Sequence, residues 1–246
     1  MNQGEKKVEI KAMADEALHP AVLRMLGERI PGRTLDVPAG QGALSLELKK
    51  RGFTDIHCLD INGENFKLDG VKFAEYNANN PLPYPDDYFD YVFSVEGIEH
   101  FESPWLFIKE LCRVLKPGGC MFISTPNTLS VDARVKYLFS GYFPRFKGLM
   151  QFPEKVMDMG VDDAHISPIY FWQLFYFLKI SGISVVDVDA NRLVRSKHLV
   201  GRWLESLLAA VIKKNIQSRK FPDHGVTSEA MLFGDCFILE CKKKSS

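Results

Sequence analysis

The stretch Thr34-Leu-Asp-Val-Pro-Ala-Gly-Gln-Gly-Ala-Leu-Ser-Leu-Glu-Leu48, TLDVPAGQGALSLEL, decides how this chain is read. A short apolar run ends in a loop carrying Gly40 and Gly42, and an amphipathic segment follows. Glycines at such a turn let the backbone approach a ligand and aim the N–H groups of the next helix at it. Pro38 stands where nucleotide loops of this kind carry their first glycine, and the GxGxxG of dinucleotide sites is absent. Asp60, at the end of the next apolar run, can accept from both hydroxyls of an adenosine ribose. The alternative for these residues alone is a tight turn, with Asp60 as a helix cap.

Outward from this loop the pattern alternates. Strands are expected at 33–37, 55–60, 71–76, 89–94 and 120–126, with helices at 43–51 and 104–115. Ser103-Pro104 opens the second of these helices and the KPGG run closes it. An earlier helix is expected over 5–30, from Leu18, Val22, Leu23, Leu26 and Ile30. After Pro126 come an aromatic-rich segment 129–164 with one helix, then a helix 168–181 behind Ser167-Pro168. Two late strands, 183–191 and 230–242, flank a basic amphipathic helix 197–219. Strand–helix alternation implies right-handed crossovers and a doubly wound, mostly parallel α/β sheet, here with an antiparallel C-terminal edge pair. The whole chain reads as one domain: a core over 30–126 and 168–246, a lid over 129–164, and a helical insertion over 197–219.

The 246 residues are 46% hydrophobic and 25% charged, the composition of a globular protein with a sizeable core. Lys+Arg and Asp+Glu both number 31, so bulk electrostatics do not favour nucleic acid as a partner. Five cysteines form no CxxC pair or zinc spacing, and their apolar neighbours suggest buried, reduced thiols and a cytoplasmic setting. The opening MNQGEKKVEIK lacks the apolar run of a signal peptide.

With several motifs in order over about 30–190, the chain resembles class I S-adenosylmethionine-dependent methyltransferases, distantly the quinone O-methyltransferases. Asp36-x-x-x-Gly40-x-Gly42 is similar to the family's first motif, and Asp60 matches its ribose-binding acid. The segments NANNPLPYPDDYFDYVFS and RVLKPGG, the latter followed by an apolar strand and STPN, are similar to its fourth and fifth strands. The resemblance implies a seven-stranded Rossmann-like sheet binding S-adenosyl-L-methionine. It places Asp36, Pro38, Ala39, Gly40 and Gly42 at the methionine moiety and Asp60 at the ribose. It places Ile61, Asn77 and Ala78 at the adenine, and Ser94 at the end of the fourth strand beside the cofactor. The sequence departs from the family at Pro38 and at Asn77, where an aspartate is usual.

A second constellation follows strand four: Glu96, Glu99 and His100, in EGIEH. On a helical turn these positions share a face. With His165 as fourth ligand they form a set for Mg or Mn, as in some family members. The competing reading makes the glutamates helix caps and leaves His100 or His165 as general base on an acceptor hydroxyl. His57 and His198 read as structural or solvated, while His19 and His224 suggest no chemistry.

The expected activity is methyl transfer, at oxygen, to a small-molecule, glycan or lipid-linked acceptor. In the lid, Tyr137, Phe139, Tyr142, Phe143, Phe146 and Phe152 read foremost as a cap's small core, and otherwise as an acceptor surface. Helix 197–219 reads as a packed cap helix, a homodimer contact or a peripheral membrane contact. A nicotinamide oxidoreductase would need the missing GxGxxG. The remaining alternative is a weak or inactive S-adenosylmethionine-binding module acting through a protein partner.

Overall fold

The computed structural model describes residues 9–146, 165–219 and 223–245. Seven strands form a single sheet: β1 (Thr34–Asp36), β2 (Ile56–Asp60), β3 (Lys72–Glu75), β4 (Phe89–Val95), β5 (Leu115–Pro126), β6 (Ile183–Ala190) and β7 (Cys236–Lys243). Their order is β3-β2-β1-β4-β5-β7-β6. β7 runs antiparallel to both its neighbours, and every other pairing is parallel. The expected fold class is therefore observed, with the β6–β7 pair at one edge.

Both faces of the central strands are covered, so those strands alternate between two cores rather than between core and water, while the edge strands β3 and β6 are partly exposed. Val92, Met121, Ile123, Phe237 and Leu239 face one core with α3 (Pro104–Val114) and α5 (Phe171–Ile180). Their chain neighbours Phe93, Phe122, Cys236 and Ile238 face the other, under α1 (Leu18–Leu26) and α2 (Ala43–Lys50). Three further helices are described: α4 (Val131–Ser140), α6 (Leu199–Ser218) and α7 (Glu229–Phe233). The cysteines are unpaired as expected, with Cys120 half-buried rather than buried.

Four expected boundaries move, each for a local reason. The helix expected over 5–30 is α1 alone, and residues 9–17 run as a strap. Pro20 lacks an N–H and its ring crowds the carbonyl four residues back, which confines it to a helix's first turn. The helix expected from 168 starts at Phe171, because the Ser167 hydroxyl donates instead to the Phe101 carbonyl at 3.0 Å. The strand expected from 230 begins at Cys236. Ser228 caps α7 first, accepting from Met231 N at 3.2 Å, and Gly234 ends that helix. KPGG is not a free turn but the start of β5, where the pairing with β4 shifts register between Phe89 and Tyr91. Of the lid expected over 129–164, α4 is observed, and residues 147–164, Phe152 among them, lie outside the described residues.

Candidate functional site

The quoted loop is pinned from three sides at the carboxyl ends of β1, β2 and β4. Val37 N donates to the Phe93 carbonyl at 3.0 Å and Ala39 N to the Leu59 carbonyl at 2.9 Å. The Pro38 ring lies on Gly97, where an added Cβ would sit 2.3 Å from Pro38 Cδ. Only glycine at 97 admits that packing. Gly42, at φ 87°, turns the chain into α2 and packs so closely on Leu68 that a Cβ would meet its Cβ at 2.7 Å.

Asp60 ties this loop to the next. Its Oδ2 accepts from Gly40 N at 2.7 Å and its Oδ1 from Asn62 N at 3.0 Å. The Gly40 amide is therefore directed at Asp60, not at a ligand. Each carboxylate oxygen keeps a further lone pair for a hydroxyl.

A cavity of about 520 Å³ opens beside these groups. Pro38, Ala39 and Gly40 wall one side, and Asp60 and Ile61 the floor's edge. Asn77, Ala78, Glu96, His100 and His165 also line it. Asp36, Gly42, Ser94 and Glu99 are not on its lining. Gly42 and Ser94 belong to the packing behind the loop; Ser94 is fully buried with an unpartnered hydroxyl. Asn77 Oδ1 accepts from Asn79 N at 3.0 Å and closes a turn, which leaves its NH₂ as the group for a base edge.

The EGIEH segment forms a 3-10 turn over Ile98–His100, not an α-helical face. Glu96 leaves β4 at φ 47°, and its carboxylate is claimed elsewhere. It accepts from Arg145 Nη1 at 2.5 Å, from the Cys236 thiol at 3.0 Å and from Asp15 N at 3.2 Å. Glu96 is thus not among the candidate ligands. The donor atoms of Glu99, His100 and His165 do converge, all within 4.8 Å of one another. Ile166 N and Ser167 N both donate to the Glu99 carbonyl, at 3.0 and 2.9 Å, which seats His165 beside His100. Their ring centroids are 4.8 Å apart.

Glu99 is fully buried with both carboxylate oxygens unpartnered, and burial pushes its pKa up to about 8. At neutral pH it is mainly a neutral acid. Burial and the neighbouring His100 lower His165 to about 4, so its ring is neutral at pH 7. Buried Phe146 lies edge-on to it, with centroids 5.5 Å apart. Phe139, by contrast, is 83% exposed, so the lid aromatics do not form one small core.

This geometry meets known proteins at one point. Residues 35–123 match the family described as a methyltransferase domain. That segment resembles a methyltransferase domain. Among curated relatives, the ubiquinone/menaquinone biosynthesis C-methyltransferase UbiE of Chromobacterium violaceum is 34% identical over 107 residues, covering 39% of this chain and 44% of that protein. The ubiquinone biosynthesis O-methyltransferase of Parvibaculum lavamentivorans is 31% identical over 149 residues, covering 54% and 57%. The chain thus spans about half the length of these relatives. The fold is shared with a methyltransferase structure from Archaeoglobus fulgidus, at TM-score 0.57 and 19% identity, covering 93% and 94% of the two chains. No helix among the described residues is long and apolar enough to cross a membrane.

Within the matched segment, Asp36 supports the loop from behind rather than facing the cavity. It is 2% exposed, and its Oδ2 accepts from Ser45 Oγ at 2.7 Å. Burial raises its pKa from 3.8 to about 7, with Asp60 nearby adding to the rise. The folded state therefore holds a proton that the unfolded state releases above about pH 4, and stability falls as pH rises from there through about 7. The rise sets a ceiling of about 4 kcal/mol, and relaxation of the site brings the expected loss to about 2 kcal/mol. Thermal melts from pH 5 to 8 should show the gap between Asp36→Asn and wild type shift in favour of the variant as pH increases.

Sequence reasoning missed several lining groups. Met13 lies over Gly40, and Lys11 N donates to Gln41 Oε1 at 3.0 Å, so the strap 9–17 roofs the loop. His19, set aside on sequence, lines the cavity as a neutral ring, its pKa lowered by burial to about 4. Tyr76 joins the lining beside Asn77. No local pattern marks any of these; they reach the site through the strap, the first turn of α1 and the end of β3.

Proposed function

We propose that the chain transfers a methyl group from S-adenosylmethionine to an oxygen of a small-molecule, glycan or lipid-linked acceptor. The observation that supports this most is the cavity itself. Asp60, the proposed ribose partner, Asn77, Ala78, His100 and His165 all line it. The donor set fits the cofactor: a carboxylate for a diol, an amide for a base edge and a close-packed glycine loop for the amino-acid end. When bound, the cofactor supplies an electrophilic sulfonium methyl. The protein's part is alignment of the acceptor oxygen, exclusion of water by the strap, and removal of one proton. His100 is the proposed base, with neutral His165 holding its ring in place. The relatives named for quinone biosynthesis favour a ring hydroxyl as the first acceptor class to try.

The convergence of Glu99, His100 and His165 favours a second reading of the proton step. These three would hold Mg²⁺ or Mn²⁺, lowering the acceptor's pKa instead of accepting its proton at a histidine. Calorimetric titration with S-adenosylhomocysteine tests the cofactor, and NAD the dinucleotide alternative. Label transfer from methyl-tritiated S-adenosylmethionine to phenol, catechol and sugar acceptors tests the reaction. His100→Ala is expected to lower kcat by about 10²–10⁴-fold. Inhibition by EDTA, restored by Mg²⁺ and absent in Glu99→Gln, selects the metal. Binding without transfer to any acceptor would favour the inactive module.

A further inference from the structure

Helix α6 turns one stripe of its surface to the protein and another to solvent. Residues 201, 205, 209, 212 and 216 are its least exposed positions, and Ala209 packs with Val131, Leu232 and Phe233. On the far side lie Val200, Trp203, Leu204, Leu207, Leu208 and Val211, between 42% and 71% exposed. Their spacing of three and four residues makes a continuous apolar stripe. A helix that had only to pack on its own fold would carry polar side chains there. Such a patch on a single chain marks a contact.

The charges around the stripe say what it contacts. Lys197, Arg202, Lys213, Lys214 and Arg219 are all exposed. The sole acid from 197 to 219 is Glu205, which is turned inward and accepts from Ser196 N at 2.8 Å. A second copy docked on this face by a two-fold axis would bring Arg202, Lys213 and Lys214 of both copies together with no carboxylate to pair them. An anionic lipid surface matches both features, taking the apolar stripe at its acyl boundary and the cations at its headgroups.

We propose that α6 lies flat on anionic phospholipid and holds the protein at a membrane surface. The inference stands independently of the methyl acceptor. Sedimentation of the full chain with vesicles of phosphatidylcholine, alone or with one third phosphatidylglycerol, tests it. Binding is expected with the anionic vesicles, at least tenfold above neutral ones, and weakened by salt. Lys213→Gln/Lys214→Gln should weaken it roughly 30-fold. Leu207→Glu should abolish it while leaving the melting temperature and S-adenosylhomocysteine binding unchanged. Trp203 emission should shift to the blue and be quenched by brominated lipid, a signal lost in Trp203→Phe. Equal binding to neutral and anionic vesicles, or none to either, would overturn the proposal. So would a dimer by light scattering that Leu207→Glu converts to monomer without vesicle binding, which would assign the face to a second copy.

Discussion

Asp60→Ala is expected to raise the dissociation constant for S-adenosylhomocysteine by roughly 100- to 1,000-fold. The carboxylate has two tasks, and alanine removes both. Toward the protein it receives Gly40 N and Asn62 N at 2.7 and 3.0 Å, which sets the distance between the glycine loop and the end of β2. Toward the cavity each oxygen keeps a lone pair, which the ribose diol of the proposed cofactor would fill. Hydrogen bonds to a charged partner contribute about 1.5–3 kcal/mol each, so losing two at the lower end of that range, about 3–4 kcal/mol, accounts for the expected loss. The variant should also melt lower, because two loop amides lose their acceptor. Isothermal titration of both proteins is the measurement. A change under tenfold would mean that no ribose sits at Asp60.

Arg145→Met is expected to destabilise the fold by about 3–5 kcal/mol, the cost of leaving a partly buried charge unpaired. Arg145 reaches Glu96 Oε1 at 2.5 Å, Asp235 Oδ2 at 2.8 Å and Asp15 Oδ2 at 3.5 Å. Those three carboxylates come from the strap, the end of β4 and the start of β7, and their side chains are 7–16% exposed. Arg192 pairs with Asp15 and Asp235 at 2.9 and 2.7 Å but makes no ion pair with Glu96. Methionine keeps most of the volume and apolar stem, so the effect isolates the charge. The strap roofs the cavity, so ligand affinity should fall alongside the melting temperature. Chemical denaturation with and without S-adenosylhomocysteine separates the two. A loss under about 1 kcal/mol would reduce this cluster to solvated surface pairs.

The site was legible where function depends on a local pattern. The loop glycines and Asp60 sit at the carboxyl ends of consecutive strands, where short-range spacing places them, and the family resemblance adds Asn77 with Ala78 after β3. Glu96 was misread because the EGIEH spacing was taken as a helical face. A 3-10 turn and a left-handed Glu96 aim its carboxylate at Arg145, forty-nine residues on. Asp36 was misread because a motif position does not say which way a side chain leaves a buried strand. Ser45, nine residues later on α2, takes it instead.

By itself, then, the sequence determined the strand–helix alternation, the α/β class and the loop and strand ends around Asp60 that line the cavity. These rest on periodicity and turn chemistry within about twenty residues. The tertiary structure alone decided the strap over the loop, the withdrawal of Glu96 from the His100–His165 cluster and the exposure of the stripe on α6. Each of these depends on contacts between distant segments. Amphipathic spacing says that a face is apolar, but not whether protein or solvent will meet it.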